Sequence, residues 1–199
     1  MENTLLIATK NQGKAKELIS IFAEEGISVK TLLDYPDIPD IKEDGQTFAE
    51  NAFKKAQEMA NHFQVPVLAD DSGLMVDALD GKPGVYSARY AGEDKDDEAN
   101  IDKVLRELKD VPTSERTARF HCTLAFVFPN GTRHLFTGEC EGIITETRQG
   151  NEGFGYDPIF YVVDLKKTMA ELQPEQKNKI SHRARALEQL KQNKHLLSW

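Results

Sequence analysis

The sequence predicts a mixed α/β fold, a mixed β-sheet with a helical lobe and a ligand cleft between lobes. Three observations carry that expectation. Both ends of the chain alternate short apolar strands with amphipathic helices, the pattern of βα units. The middle third holds the clearest strand, where Ala118, Phe120, Cys122, Leu124, Phe126 and Phe128 alternate with Arg119, His121, Thr123, Ala125 and Val127. Pro129-Asn130-Gly131 then turns it back into a second strand, Arg133 to Cys140, so the middle reads as antiparallel.

In chain order, Thr4 to Ala8 is a short apolar strand. The polar loop Thr9-Lys10-Asn11-Gln12-Gly13-Lys14 leads into a helix with Ala15, Leu18, Ile21 and Phe22 on one face. Gly26 closes that helix, and Ser28 to Leu33 reads as a strand. Tyr35 to Gly45, with Pro36, Pro39 and several acids, is an irregular loop. Thr47-Phe48-Ala49-Glu50 is a capping box. The helix it opens has a broad apolar face of Phe48, Ala52, Phe53, Ala56, Met59, Ala60 and Phe63. Asn51 and Lys55 lie one turn apart on it, as do Glu50 and Lys54, which are spaced for a surface ion pair.

Val65 to Ala69 is an apolar strand that ends in Asp70-Asp71-Ser72-Gly73, read as a turn, and Met75 to Leu79 is a separate short strand. Asp80-Gly81-Lys82-Pro83-Gly84 is a strong turn signal, and Val85 to Tyr90 fits strand or helix equally. Asp96 or Asp97 starts a helix to Leu108 with Ile101, Val104, Leu105 and Leu108 as its stripe. Ile143 and Ile144 belong to a further strand, and so does the segment Ile159 to Val163. Thr168 to Glu171 is another capping box, and Pro174 suits the first position of one last helix to about Lys191. No repeat, low-complexity tract or linker interrupts residues 1–199, which read as a single domain.

A formal net charge of -8 over 199 residues argues against broad electrostatic binding to DNA or RNA. No apolar run reaches membrane-spanning length, and Met1-Glu2-Asn3-Thr4 lacks the basic start of a signal peptide, so a cytoplasmic protein is expected. Cys122 and Cys140 have no metal-type spacing and read as buried free thiols in a reducing compartment. His121, in mid-strand, reads as a packed histidine, and Trp199 suggests no role.

Four stretches carry chemistry. Backbone N–H groups at a helix start, with lysines, make Thr9 to Lys14 an anion site or else an ordinary βα connection. It is not a Walker A loop, because Ala8 and Ala15 stand where that pattern needs Gly and Ser or Thr. Asp70 and Asp71 point to different sides of an extended chain. One can serve as a metal or general-base carboxylate, and the bland alternative is an Asx-turn with a solvated acid. Gly150, Gly153 and Gly155 with Phe154, Tyr156 and Asp157 form a Gly-aromatic loop on which a base can stack, or a hairpin loop with packed rings. Lys177 and Ser181 share a helix face beside His182 and Arg183, either a grip for phosphate or a base edge, or solvated charges. Together the four suit a nucleoside triphosphate.

Six blocks in order also resemble the inosine-triphosphatase-like family of non-canonical purine nucleoside triphosphate pyrophosphatases, in its bacterial form. They are Ala8 to Lys14, Thr47 to Ala52, Ala69 to Leu74, Pro83 to Gly92, Gly153 to Pro158 and Ile180 to Arg183. The resemblance implies an elongated mixed sheet in two lobes around a central nucleotide-binding cleft, usually dimerised. It implies hydrolysis of dITP, ITP, XTP and dXTP to monophosphate and pyrophosphate, which removes deaminated purines from the nucleotide pool. Thr9, Lys10, Asn11, Gln12, Gly13, Lys14 and Lys55 would hold the triphosphate, with Asn11 and Lys14 doing most. Asp71 would be general base and magnesium ligand, Glu43 (or its neighbour Asp44) the second ligand, and Ser72 a substrate contact. Phe154, Gly155, Tyr156, Asp157, Lys177, His182 and Arg183 would form the nucleoside pocket.

The implied chemistry agrees with the residues. Magnesium and lysines offset the phosphate charges, and a carboxylate takes the water's proton. A donor facing O6 accepts a 6-keto purine and repels adenine's amino group. His182, Arg183 or backbone N–H groups of the Gly loop could be that donor. The alternatives are a related pyrophosphatase for other modified nucleotides, a non-catalytic nucleotide sensor, and an aspartyl-phosphate phosphatase. The last is disfavoured because no Asp-x-Asp pattern ends the strand.

Overall fold

The computed structural model describes residues 4–23 and 26–197; Met1 to Asn3, whose composition bears on a leader, and Trp199 lie outside them. Seven strands form one mixed sheet in the order β2-β1-β3-β4-β5-β6-β7. They are β1 Thr4–Ile7, β2 Ser28–Thr31, β3 Val67–Val76, β4 Thr117–Val127, β5 Arg133–Ile144, β6 Phe160–Val162 and β7 Lys167–Thr168. β1 pairs parallel with both β2 and β3, whereas β5–β6 and β6–β7 are antiparallel. The helices are α1 Gln12–Ala23, α2 Phe48–Phe63, α3 Asp97–Glu107, α4 Pro174–Ile180 and α5 His182–Gln192.

The chain divides into two compact units, and β3, β4 and β5 each contribute residues to both. The first comprises residues 1–71, 122–138 and 183–199. Its strands are buried on both faces. Leu5, Ile7, Leu68, Cys122, Leu124 and Phe126 pack with α1 (Leu18, Ile21, Phe22) and α5 (Ala186, Leu187, Leu190). Leu6, Ala8, Val67, Ala69, Ala125 and Val127 pack with α2 (Ala52, Ala56, Met59, Ala60). Period-two alternation therefore sorts the buried apolar residues of β1, β3 and β4 in this unit toward α1 and α5 or toward α2. The second unit comprises residues 72–121 and 139–182, around a core that includes Leu74, Ile101, Val104, Leu108, Phe120, Ile159 and Phe160. Arg116 is buried there; its guanidinium donates to the carbonyls of Leu108, Val111 and Thr145 and so ties the end of α3 to β4.

Helix starts follow their local signals. Thr47 and Glu50 form the capping box of α2, and the Asp96 carboxylate caps α3. Several boundaries differ from the sequence expectation. β2 stops at Thr31, which with Asp34 caps a 3-10 turn over Leu32–Asp34. Residues 84–89 form a 3-10 helix, resolving the strand-or-helix ambiguity. β5 runs unbroken through Ile143 and Ile144, which are not a separate strand. The last helix is two helices, broken at Ser181, whose ψ of 155° is extended. Glu50 does not pair with Lys54: its carboxylate accepts the Gln46 and Thr47 N–H groups, and Lys54 instead reaches Asp44 at 2.7 Å.

The largest difference concerns the acid pair. Asp70-Asp71-Ser72-Gly73 is not a turn. It lies inside the ten-residue strand β3, and Met75 and Val76 continue the same strand rather than starting another. Asp70 and Asp71 are 1% and 6% exposed. Carboxylates tolerate such burial only when cations meet them.

Candidate active site

Asp70 and Asp71 inherit the alternation of β3. Asp70 falls on the Leu68 side, toward α1 and α5, and Asp71 on the Ala69 side, toward α2. The first turn of α1 brings Lys14 Nζ to 2.5 Å from Asp70 Oδ1. The first turn of α5 brings Arg183 Nε to 2.9 Å from Asp70 Oδ2. Arg183 NH1 also pairs with Glu17, and the Cys122 thiol donates to Asp70 Oδ2 at 3.1 Å. Burial alone would raise the Asp70 pKa, but Arg183 and Lys14 outweigh it and hold the carboxyl well below its usual range. Burial, with Asp70 adding to it, pushes the Cys122 thiol well up.

On the other side, Lys55 Nζ bonds Glu43, donates to the Asp70 carbonyl at 2.7 Å and lies 3.5 Å from Asp71 Oδ1. Burial pulls the Lys55 pKa down, yet Asp71 and Glu43 outweigh it and raise it. Asp71 is raised, chiefly by burial, against the opposing pull of Lys55 and Lys14. Its Oδ2 is buried without a hydrogen-bond partner. Glu43 sits in the loop before α2, which Lys10 braces through the Ile38 carbonyl (2.5 Å) and Asp40 (3.0 Å). The Asp44 side chain is 48% exposed and engages Lys42 and Lys54, away from this cluster's lysine.

The phosphate-loop residues fold as a helix start. Thr9 Oγ1 accepts the Asn11 N–H at 3.2 Å, and Asn11 Oδ1 accepts the Lys14 N–H at 2.9 Å. Gln12 and Gly13 occupy the first turn of α1. Unpaired N–H groups at such a terminus favour an anion.

The second unit holds its own cluster. Lys177 Nζ lies 2.5 Å from the Asp157 carboxylate and 4.8 Å from the centroid of the Phe154 ring, both partners of the ion pair being buried. Asp157 also accepts the Phe154 N–H at 3.0 Å, and Asp97 accepts the Gly155 N–H at 2.9 Å. The Gly-loop amides of Phe154 and Gly155 are thus committed to carboxylates. Tyr156 donates its hydroxyl to the Ser87 carbonyl at 2.7 Å. A Cβ at Gly153, where φ is +79°, would collide with the Asp157 carboxylate. His182 stacks on Phe120 with centroids 4.9 Å apart. Ser72 follows Asp71 in β3 and is half-buried.

So the structure joins Lys14, Lys55, Glu43 and Asp71 in the first unit with Asp70 and Arg183, and joins Phe154, Asp157 and Lys177 in the second. Asn51, Glu17, Ser87 and Asp97 were given no site role from sequence, although Asn51 was noted one turn from Lys55 and Asp97 as a possible helix start. Asn51 alone carried a signal, a polar residue inside the apolar stripe of α2.

Magnesium is the ion the resemblance implies, and the donor set fits it. Among the described residues no group of three or more His, Cys, Asp or Glu side chains could hold a metal. Magnesium is commonly held by one or two carboxylates plus substrate phosphates. Glu43 and Asp71 converge on one ammonium, and the unpartnered Asp71 oxygen leaves a donor open.

The chain is similar to known proteins over nearly its whole length. A family model described as the Ham1 family matches residues 5–193. The chain is 60% identical over 185 residues to a dITP/XTP pyrophosphatase of Halalkalibacterium halodurans, covering 93% of this chain and 95% of that protein. It is 57% identical over 186 residues to a dITP/XTP pyrophosphatase of Geobacillus kaustophilus, covering 94% and 91%. Among solved structures, the Staphylococcus aureus Ham1 protein superposes with a TM-score of 0.83 at 45% identity, over 96% of this chain and 98% of that one. A HAM1 protein from Coxiella burnetii gives 0.85 at 42%, over 96% and 97%.

Proposed function

The chain belongs to the Ham1 family, and on that premise we propose that it hydrolyses non-canonical purine nucleoside triphosphates to monophosphate and pyrophosphate. The substrates are dITP, ITP, XTP and dXTP, as the names of its relatives and the base chemistry suggest. The observation that carries the reading is the convergence of Glu43 and Asp71 on Lys55, beside a lysine-bearing helix start. A nucleotide sensor has no need of a buried carboxylate with an open oxygen and an elevated pKa.

Each residue has a task in this reading. The start of α1 and Lys14 hold phosphate oxygens by N–H donation and positive charge. Lys55 offsets phosphate charge and orients Asp71. Magnesium, held by Asp71 and Glu43 when bound, supplies further charge neutralisation and polarises a water. Asp71 accepts the proton of the water whose oxygen bonds to the α-phosphorus. The bond from that phosphorus to the bridging oxygen breaks, pyrophosphate leaves, and the new oxygen stays with the monophosphate. Asp70 carries no proton in this scheme. Its pKa is depressed and its oxygens are occupied by Lys14, Arg183 and Cys122.

Nucleoside recognition is assigned to Phe154, Gly155, Tyr156, Asp157, Lys177 and His182, whereas Arg183, expected from the resemblance to join them, is buried against Asp70 and Glu17 and braces the acid pair instead. Phe154 offers a face for the purine and Lys177 a charged donor. The same reading includes a homodimer in the cytoplasm. Two buried free thiols suit a reducing compartment, and no described helix is long and apolar enough to cross a membrane.

Product analysis tests the reading. With magnesium, dITP and XTP should be preferred over dATP and dTTP, and pyrophosphate should be released. Orthophosphate as the first product, or no preference across the panel, would refute it.

A further inference from the structure

We propose that Asn51 is a positioning residue for this hydrolysis: its carbonyl oxygen holds the backbone of the Glu43 loop while its amide steers the open oxygen of Asp71. The inference rests on the activity proposed above and extends it to a residue outside the acid and lysine set.

Asn51 sits one turn before Lys55 on α2 and is 1% exposed. Its Oδ1 accepts the Gly45 N–H at 2.8 Å, two residues after Glu43. The approach is close. A Cβ at Gly45 would stand 2.7 Å from Asn51 Oδ1 and 2.8 Å from Glu50 Cβ, so the loop can seat here only as glycine. The other end of the same amide, Nδ2, is buried without a partner, and so is Asp71 Oδ2. An unpaired donor and an unpaired acceptor buried in one cluster are both costly, and each can relieve the other. Lys55, one turn after Asn51 on the same face of α2, lies 3.5 Å from Asp71 Oδ1, so that face of the helix carries Asn51 toward the same strand.

One rigid amide thus spans the loop that carries Glu43 and the strand that carries Asp71. Glutamine would place the same groups on a longer arm in a site with no spare room. Aspartate is isosteric and keeps the acceptor for Gly45, but replaces the donor facing Asp71 with a second acceptor. This separates loop anchoring from carboxylate steering.

The test compares Asn51→Asp and Asn51→Ser with the parent, using dITP, saturating magnesium and pyrophosphate release. Steering predicts kcat about 100-fold lower in both variants, the scale expected when a reacting group is misplaced by about 1 Å, with KM within about threefold of the parent. Melting curves give the folded fraction to which kcat is normalised, so loss of fold is not read as loss of steering. An Asn51→Asp enzyme with kcat within about threefold of the parent would reduce Asn51 to a loop anchor and overturn the proposal. A rise in KM with unchanged kcat would also overturn it, since that is what added charge alone produces.

A second readout does not need turnover. The Asn51 side-chain amide resonances should move when Asp71→Ala removes the carboxylate. If they do not, the proposal fails; if they move while the parent releases no pyrophosphate from dITP, it is the activity reading that fails.

Discussion

Asp70 and Asp71 are neighbours in β3 with opposite duties: Asp70 is saturated by Lys14, Arg183 and Cys122, whereas Asp71 keeps one buried oxygen open. A one-residue step in an extended chain moves a carboxylate from the α1 and α5 side to the α2 side. The difference in partners then separates their acidities, with Asp70 lowered and Asp71 raised.

Asp71→Asn should abolish pyrophosphate release while nucleotide binding survives, because the amide keeps the shape but cannot take a proton. Calorimetric titration with dITP alongside the turnover assay checks both halves. Near-normal turnover would remove Asp71 from the base role.

Asp70→Asn should act first on stability. It leaves Arg183 and Lys14 facing a neutral group inside the fold, and breaking a buried ion pair from one side costs about 3–5 kcal/mol. Urea unfolding should show a lower midpoint with an unchanged m-value. A loss of activity with no change in midpoint would contradict this.

Lys14→Ala should weaken triphosphate binding more than monophosphate binding, since the lysine serves the phosphate chain. Equal weakening of the two ligands would count against a phosphate contact.

Gly45→Ala should cost about 1–3 kcal/mol of local strain, because the new methyl meets Asn51 and Glu50. The Glu43 loop must shift, so activity should fall about tenfold or more for each ~1.4 kcal/mol expressed in the transition state. Kinetics at several magnesium concentrations would reveal it.

Both cysteines should resist thiol reagents in the native protein. Cys122 and Cys140 are buried, and the Cys122 thiol is held protonated by burial and by Asp70. Ellman's reagent should titrate two thiols only after denaturation. Fast native reaction would contradict the packing of β4 and β5.

Much of the fold was legible because it is written in short-range chemistry. The Thr47 capping box and the stripes of α1, α2 and α3 depend on neighbours within four residues. The family resemblance pointed to Lys14, Lys55, Glu43 and Asp71 as phosphate and metal residues, and the structure brings Lys55, Glu43 and Asp71 together. Less legible was the break at Ser181, which has no Gly or Pro to announce it. Lys177 and Ser181 therefore look like one face of one helix with Arg183 beside it, yet Lys177 meets Asp157 and Arg183 meets Asp70.

The sequence by itself determined the alternation that sends Asp70 and Asp71 to different sides, because side-chain direction in an extended chain depends only on position parity. Whether those acids form a solvated turn or a buried mid-strand pair was decided by tertiary structure alone. Lys14 lies 56 residues before Asp70 and Arg183 lies 113 after it. Only folding brings two cations to one carboxylate, and without them the acids could not have been buried.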